Sequence, residues 1–380
     1  MSLLDKASLI VTPNAYKASK LYSVVPSSGA GDMTVVRATT ATRVNSAGLI
    51  ESVPVNVPRI DYTNGSCPSL LVEPQRTNLA LNSDGNVSTY PGAINVTNAS
   101  SSFNSFTNAI QFPNTALALA YKTIVTTAQT YTISVFIKMD DNSVPILSAS
   151  QTTGNVSLVI AGAVVTNNLK VESLGNNIYR LSGTGASLGI NNNNGVLRYD
   201  TQVLKSFKIT GIQLEAASYP TSYIPTVAST VTRNADLISN NNLISKGLIV
   251  NDYVLFLDIT NPILGNQYIL DSTDISSLRT GILRVDGTTA SITDITGGIS
   301  LSILNILTIG KGKMCVKRTG STLSFFANGV KALSTTTTTV GTINNLKTGV
   351  TNSTTPSYIN SVVLFPTALT DTECINLTTL

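Results

Sequence analysis

Apolar and polar residues alternate with a period of two along much of the chain, the pattern of strands with one buried face. Tyr131-Thr-Ile-Ser-Val-Phe-Ile-Lys138 alternates cleanly at first and predicts a half-buried strand. Phe207-Lys-Ile-Thr-Gly-Ile-Gln-Leu-Glu215 puts Phe207, Ile209 and Gly211 on one face, then shifts phase at Gly211-Ile212. That shift predicts a β-bulge at the glycine. Further strands are predicted over Tyr253 to Ile259, Met314 to Arg318, Leu323 to Ala327 and Ile359 to Phe365. Between the runs lie turn pairs: Asn64-Gly65, Asp84-Gly85, Asp286-Gly287, Thr319-Gly320 and Asn328-Gly329. Phe325 to Val330, with Gly329 in the turn, predicts a tight hairpin. Helical periodicity is scarce. Thr370-Asp-Thr-Glu-Cys-Ile-Asn-Leu377 predicts one short helix, with Thr370 as cap and Glu373 completing a capping box.

Many short strands without interspersed helices predict an all-β chain of sandwiches or barrels. Three zones emerge. Residues 1–75 are loop-rich and partly extended, with Arg37, Arg43, Pro54 and Pro58, and are expected to form an N-terminal attachment and oligomerisation segment. Residues 76–235 form a first strand-rich block that closes on Tyr219-Pro-Thr-Ser-Tyr-Ile-Pro225, and residues 236–380 form a second.

Composition sharpens this picture. Only 12% of the 380 residues are charged, against roughly 25% in an average globular protein. Ser, Thr, Asn and Gly stand where charges usually do, which suits rigid β-scaffolds and surfaces hidden in oligomers. Spread-out Val, Ile, Leu and Tyr argue against disorder. A net charge of +4 is too small and scattered for a nucleic-acid partner. The local cluster Lys311, Lys313, Lys317 and Arg318 alternates with Met314 and Val316, as a solvated strand face would.

Cys67, Cys315 and Cys374 lie far apart, are odd in number and form no CxxC, so structural zinc is not expected. Buried free thiols and assembly in a reducing cytoplasm are. Residues 1–10 lack the apolar core of a signal peptide. The longest apolar candidate, Ser157 to Val165, is shorter than the roughly 18 residues a membrane helix needs, and no membrane partner is expected.

Catalysis is argued against by residue type. The sequence has no histidine, which removes Ser-His-Asp and Cys-His nucleophile activation and histidine general bases. No tryptophan is present to stack on sugars. Asp140 and Asp141 are adjacent and read as a solvated turn. Asp271 with Asp274, or Asp252 with Asp258, are candidate oxygen ligands for calcium, with surface turns as the simpler reading. Gly-rich phosphate loops are missing. The expectation is no enzyme, no cofactor and no metal site.

Three stretches carry a resemblance. Ser2-Leu-Leu-Asp-Lys-Ala-Ser-Leu-Ile-Val-Thr-Pro-Asn-Ala-Tyr-Lys17, continuing to Arg37-Ala-Thr-Thr-Ala-Thr-Arg43-Val-Asn45, resembles the start of virion proteins from phages of Bacteroides-type gut bacteria. Val57-Pro-Arg-Ile-Asp-Tyr62 followed by Leu70-Leu-Val-Glu-Pro-Gln-Arg-Thr-Asn78 resembles the lead-in of carbohydrate-binding-like jelly rolls in phage structural proteins. Their closing strand is matched by Gly211-Ile-Gln-Leu-Glu-Ala-Ala-Ser-Tyr-Pro-Thr-Ser-Tyr-Ile-Pro225 and Val231-Thr-Arg-Asn-Ala-Asp236. The last zone is similar to a concanavalin-like or laminin-G-type sandwich, through Met314 to Arg318, Phe325 to Val330 and Val362 to Glu373.

The resemblance implies tandem β-sandwiches, the first a jelly roll, in a non-enzymatic virion component of the crAss-like group. The expected role is a head fibre or capsid decoration, homotrimeric and attached to capsid proteins through its N-terminal zone. A tail fibre recognising capsular polysaccharide is the alternative. Arg76 and Arg233 are positioned to tie the two ends of the first sandwich to backbone carbonyls or to Glu73 and Asp236. Tyr219 and Tyr223 are expected to bury their rings at the rim, their alternative use being contact with a host glycan.

Overall fold

The computed structural model describes residues 2–101, 103, 105–115, 117–189, 191–260, 267–270, 282–286, 289–294, 299–303, 311–332, 334–336, 343–348 and 356–380. Over these residues the chain is all-β, with antiparallel strand pairing and one α-helix. It divides into two compact units that interleave along the sequence: residues 1–46, 53–75 and 234–380 form one, and residues 47–52 with 76–233 form the other.

Residues 2–75 supply β1 (Leu9–Val11), β2 (Met33–Val36), β3 (Arg59–Asp61) and β4 (Ser69–Val72). The second unit contains β5 (Arg76–Asn78), β6 (Asn108–Phe112), β7 (Ala118–Thr123), β8 (Gln129–Met139), β9 (Ser157–Ile160), β10 (Asn167–Ser173), β11 (Tyr179–Ser187), β12 (Asn193–Arg198), β13 (Phe207–Glu215) and β14 (Val231–Arg233). The chain then returns to the first unit with β15 (Leu237–Asn241), β16 (Tyr253–Thr260), β17 (Gly312–Thr319), β18 (Thr322–Ala327), β19 (Asn345–Thr348), β20 (Ser357–Phe365) and α1 (Asp371–Thr378).

The second unit is a jelly roll. Its strand pairs nest, β6 with β13, β7 with β12 and β8 with β11, and successive pairs fall in opposite sheets. The six-stranded sheet carrying β6, β13, β8, β11 and β10 faces the sheet of β7, β12 and β9 across one core. Ile110, Phe112, Ile133, Val135, Leu181 and Leu214 meet Ala118, Ala120, Leu158, Ile160 and Val196 there. Phe112 and Phe207 sit opposite each other on β6 and β13, with rings stacked at 4.6 Å. The phase shift at Gly211 is a real bulge: Ser134 pairs with Gln213 and Phe136 with Thr210, so Val135 opposes both Gly211 and Ile212. Gly211 takes the left-handed conformation at φ 62, which glycine adopts without the steric cost of a Cβ.

In the first unit β18, β17, β16, β20, β4 and β3 lie side by side in that order, and β1 joins the same edge of β20 as β4. A second sheet carries β2, β15 and β19. Leu255, Leu257, Val316, Phe325 and Leu364 from the first sheet pack on Met33, Val35, Ile238 and Leu346 from the second. Residues 2–46 and 53–75 are therefore part of this sandwich, not a segment of their own. Leu9 and Val11 on β1, and Leu70 and Val72 on β4, enter its core.

β16 explains why Tyr253 to Ile259 reads as a continuous apolar run: both faces of its first half are covered. Leu255, Leu257 and Ile259 point into the sandwich, while Val254 and Phe256 point outward under α1, against Leu369 and Cys374. α1 starts as its sequence predicts. The Thr370 hydroxyl accepts from the Glu373 amide, and the Glu373 carboxylate accepts from the Thr370 amide at 2.8 Å. The hairpin between β18 and Val330 turns on Asn328 and Gly329, both at positive φ.

The thiols follow from this packing. Cys315 on β17 and Cys374 on α1 are buried, whereas Cys67 is exposed, correcting the expectation that all three are hidden. Burial pushes the Cys315 thiol up. In the native protein one thiol of three should react promptly with a maleimide, and the other two only after denaturant is added. Prompt reaction of all three would contradict the packing of α1 on the sheet.

Candidate functional site

Three places gather polar chemistry. The first lies in the jelly roll, at the turn out of β13. Asn78 donates to the carbonyls of Ile212 and Ile224 and accepts from the amides of Ala80 and Leu214, pinning the outgoing chain to the strand. Gln213 accepts from the Ile224 amide at 2.6 Å, and the fully buried Glu215 accepts from the Thr221 amide at 2.9 Å. These bonds account for the polar residues of the phrase from Gly211 to Pro225 without any ligand.

Tyr219 and Tyr223 belong to the same turn, and the structure corrects their alternative assignment as glycan contacts. Tyr223 is 7% exposed; its hydroxyl meets Ser83 at 2.5 Å and its ring stands edge-on to Phe136 and Phe106. Tyr219 is 5% exposed, with the Arg76 guanidinium 4.9 Å from its ring centroid and bonded to its hydroxyl. A sugar needs an open ring face to stack on, and neither residue presents one.

Nearby, the Lys122 ammonium is 3.6 Å from the Tyr90 ring centroid and donates to the Thr89 carbonyl and hydroxyl. Desolvation pushes its pKa down to about 8, against 10.5 for an open lysine. A lowered folded pKa means the unfolded chain binds more protons between those values, so stability should rise with pH from about 8. Burial raises Tyr121 and Tyr223 to about 12 from 10.0, and this has the opposite sign: stability is lost above pH 10. The jelly roll should therefore melt at its highest temperature near pH 10. Lys122→Met should flatten the rise from pH 8; a persisting rise in the variant would refute the assignment.

The second place is a buried charge network in the first unit. Arg37 donates to one oxygen of Asp236 at 2.9 Å and to the carbonyls of Thr39, Pro54 and Val57. Arg59 donates to both oxygens of Asp236 and to Glu73 at 2.5 Å. The Glu73 amide donates to Asp236 at 3.0 Å. All four side chains are at most 2% exposed. Opposing carboxylates and hydrogen bonds outweigh desolvation and raise the Arg59 pKa, so the guanidinium stays charged. Glu73 and Asp236, one of the two kinds of partner suggested for Arg76 and Arg233, bond Arg37 and Arg59 here. In the jelly roll Arg76 and Arg233 sit opposite each other on β5 and β14, Arg76 bonding Tyr219 and Arg233 bonding Ser222 at 2.9 Å.

The third place is an open cleft of about 730 Å³ on the first unit. Its origin is topological. β20 pairs through residues 357–359 with β4 and through 362–364 with β1, so its neighbour on that edge changes near Asn360. Thr12, Pro13 and Asn14 leave β1 on one side of the gap, and Asn64 to Ser69 arrive at β4 on the other. Opposite, Ser361 pairs with Asp258 and Ile359 with Ile259, which leaves Asn360 as the extra residue of a bulge. Asn360 accepts from the Ser69 hydroxyl at 2.6 Å and donates to Asp258 at 2.9 Å and Thr260 at 3.1 Å. Asp258 faces Lys313 across β16 and β17, and Lys311 stands at the rim. The period-2 face of β16 thus changes character along its length: Val254 and Phe256 lie under α1, while Asp258 and Thr260 open into the cleft.

Sequence reading named Asp258, Lys311 and Lys313 but did not bring them together. Asp252, its suggested calcium partner, accepts from the Gly320 amide at 2.8 Å and caps the β17–β18 turn. At ~3.3 Å per residue it lies about 20 Å along the strand from Asp258, too far for one ion. Asp271 and Asp274 lie outside the described residues. Asp140 and Asp141 pair with Lys208 and Lys205, both at 2.6 Å, as partly exposed turn residues.

No protein-family model matches the chain, nor does any curated protein. Among solved structures it is similar to the CBM40 module of the Ruminococcus gnavus IT-sialidase bound to α2,3-sialyllactose, at 13% identity and a TM-score of 0.30, over 35% of this chain and 84% of that one. It is also similar to a leech intramolecular trans-sialidase, at 16% identity and a TM-score of 0.30, over 35% of this chain and 24% of that one. A third is the receptor-binding domain of botulinum neurotoxin type G, at 13% identity and a TM-score of 0.28, over 37% of this chain and 38% of that one. Likeness this distant brings no ligand or activity with it.

Proposed function

We propose that this protein is a non-enzymatic structural component of a bacteriophage particle, a head fibre or capsid decoration that contributes to adhesion at the host surface. The observation that carries the reading is the use made of a deeply buried group of charges: Arg37, Arg59, Glu73 and Asp236 bond one another and the backbone, holding strands in place. Glu215 likewise folds its own turn. The absence of histidine from the sequence fits the same role, as does the resemblance of the first 236 residues to phage virion proteins.

In this reading attachment to the capsid falls to the surface of the first unit, since residues 2–46 and 53–75 are built into its sandwich. The oligomer is a homotrimer. Large apolar side chains left open on the jelly roll, Val125 at 78%, Leu188 at 74% and Val227 at 73% exposed, support burial between copies. Light scattering should return the mass of three 39.9 kDa chains, and a monomer would defeat the trimer.

The particle itself supplies the test of location. Antibody labelling of intact virions in the electron microscope should decorate the capsid. Label confined to the tail tip would favour the alternative, a fibre recognising capsular polysaccharide. Unlabelled particles would overturn the virion assignment.

A further inference from the structure

We propose that the cleft beside Asn360 binds a carboxylated sugar residue of a polysaccharide. This deepens the adhesive part of the proposed function by giving it a site and a ligand class.

The cleft is built, not incidental. A strand changing its edge partner opens it, and a bulge sets Asn360 in its floor. Its size falls within the ~300–1,000 Å³ of small-ligand sites. Asn360 is fully used: its amide hydrogens go to Asp258 and Thr260, and its oxygen accepts from Ser69. It therefore acts as a brace that fixes Asp258. One oxygen of Asp258 takes that bond, and the other has no hydrogen-bond partner among the described residues. A fixed carboxylate oxygen facing open space is an acceptor for sugar hydroxyls.

Two cations stand beside it. Lys313 holds the Thr379 carbonyl at 2.9 Å and retains two further ammonium hydrogens. Lys311 makes no hydrogen bond or ion pair among the described residues and is exposed. Lys311 thus stands in the cleft with no counter-ion among the described residues. A neutral saccharide would leave Lys311 unused, whereas a uronate or similar sugar acid would pair its carboxylate with the lysines and its hydroxyls with Asp258. Pro68, half-buried in the wall, offers ring C–H surface to the apolar face of a pyranose.

The full-length protein can be titrated calorimetrically with a panel of uronate- and neuraminate-containing oligosaccharides and with their carboxyl-reduced counterparts. Binding is expected at low ionic strength, weaker by roughly tenfold after carboxyl reduction, and largely lost at about 1 M salt, where screening acts within about 3 Å. Lys311→Ala should weaken the acidic sugars by about five- to tenfold and leave the reduced ones unchanged. Lys311 is exposed and makes no hydrogen bond or ion pair among the described residues, so this variant should fold normally. Asp258→Asn should weaken both sets. Silence across the panel, equal affinity for reduced sugars, or an unaffected Lys311→Ala would each overturn the proposal. These outcomes do not depend on particle labelling: binding by a protein absent from virions would leave the cleft standing, and a labelled capsid with a silent protein would remove it.

Discussion

Asp236→Ala should lower the unfolding free energy of the first unit by about 3–5 kcal/mol, the usual cost of breaking a buried ion pair from one side. Asp236 accepts from Arg37, from two nitrogens of Arg59 and from the Glu73 amide. Its removal takes a carboxylate partner from two guanidinium groups held where water cannot reach them. Glu73 would still hold Arg59, but Arg37 would keep only backbone carbonyls among the partners described above. Denaturant unfolding of the two variants gives a clean contrast. Asp141→Ala removes a carboxylate from a half-exposed pair with Lys205 and should leave the midpoint nearly unchanged. Equal midpoints for Asp236→Ala and the parent protein would mean that the network contributes nothing net.

Gly211→Ala should destabilise the jelly roll strongly, by roughly 2–5 kcal/mol. Two costs add. A left-handed φ disfavours any Cβ by about 1–2 kcal/mol, and overpacking a filled site costs about 1–3 kcal/mol more. The added carbon would fall 2.5 Å from the Phe136 ring and 3.1 Å from Phe106. Phe136 and Phe106 carry the edge-on contacts of Tyr223, so the disturbance should spread into that aromatic cluster. Gly65→Ala is the contrast: nothing lies within 4 Å of its added carbon, so only the backbone cost applies. A Gly211→Ala protein no less stable than Gly65→Ala would contradict the bulge.

What could be read from sequence follows the range of the forces involved. The strands, the Gly211 bulge, the Asn328-Gly329 hairpin and the Thr370 capping box depend on residues a few positions apart, and each stands where the pattern put it. The fate of the N-terminal zone depends on pairing across the whole chain, such as Leu9 with Leu364, and period-2 alternation does not name a partner strand. Arg37 and Arg59 were missed as the holders of Asp236 for the same reason. A local hint existed in Arg59-Ile-Asp61, where all three residues are buried despite two charges. The cleft was the least legible feature. Pro13, Ser69, Asp258, Lys311 and Asn360 are scattered from one end of the chain to the other, and only the partner change along β20 brings them together. Tyr219 and Tyr223, by contrast, drew notice as aromatics in a distinctive phrase, which marks their packing.

The central claim is that this protein acts by holding a shape and presenting a surface, with no bond made or broken in what it touches. The direct measurement is the chain length of host capsular polysaccharide, followed by size-exclusion chromatography during long incubation with the purified protein. An unchanged length distribution is the predicted result. Progressive shortening would show a hydrolytic or eliminating site and contradict the account.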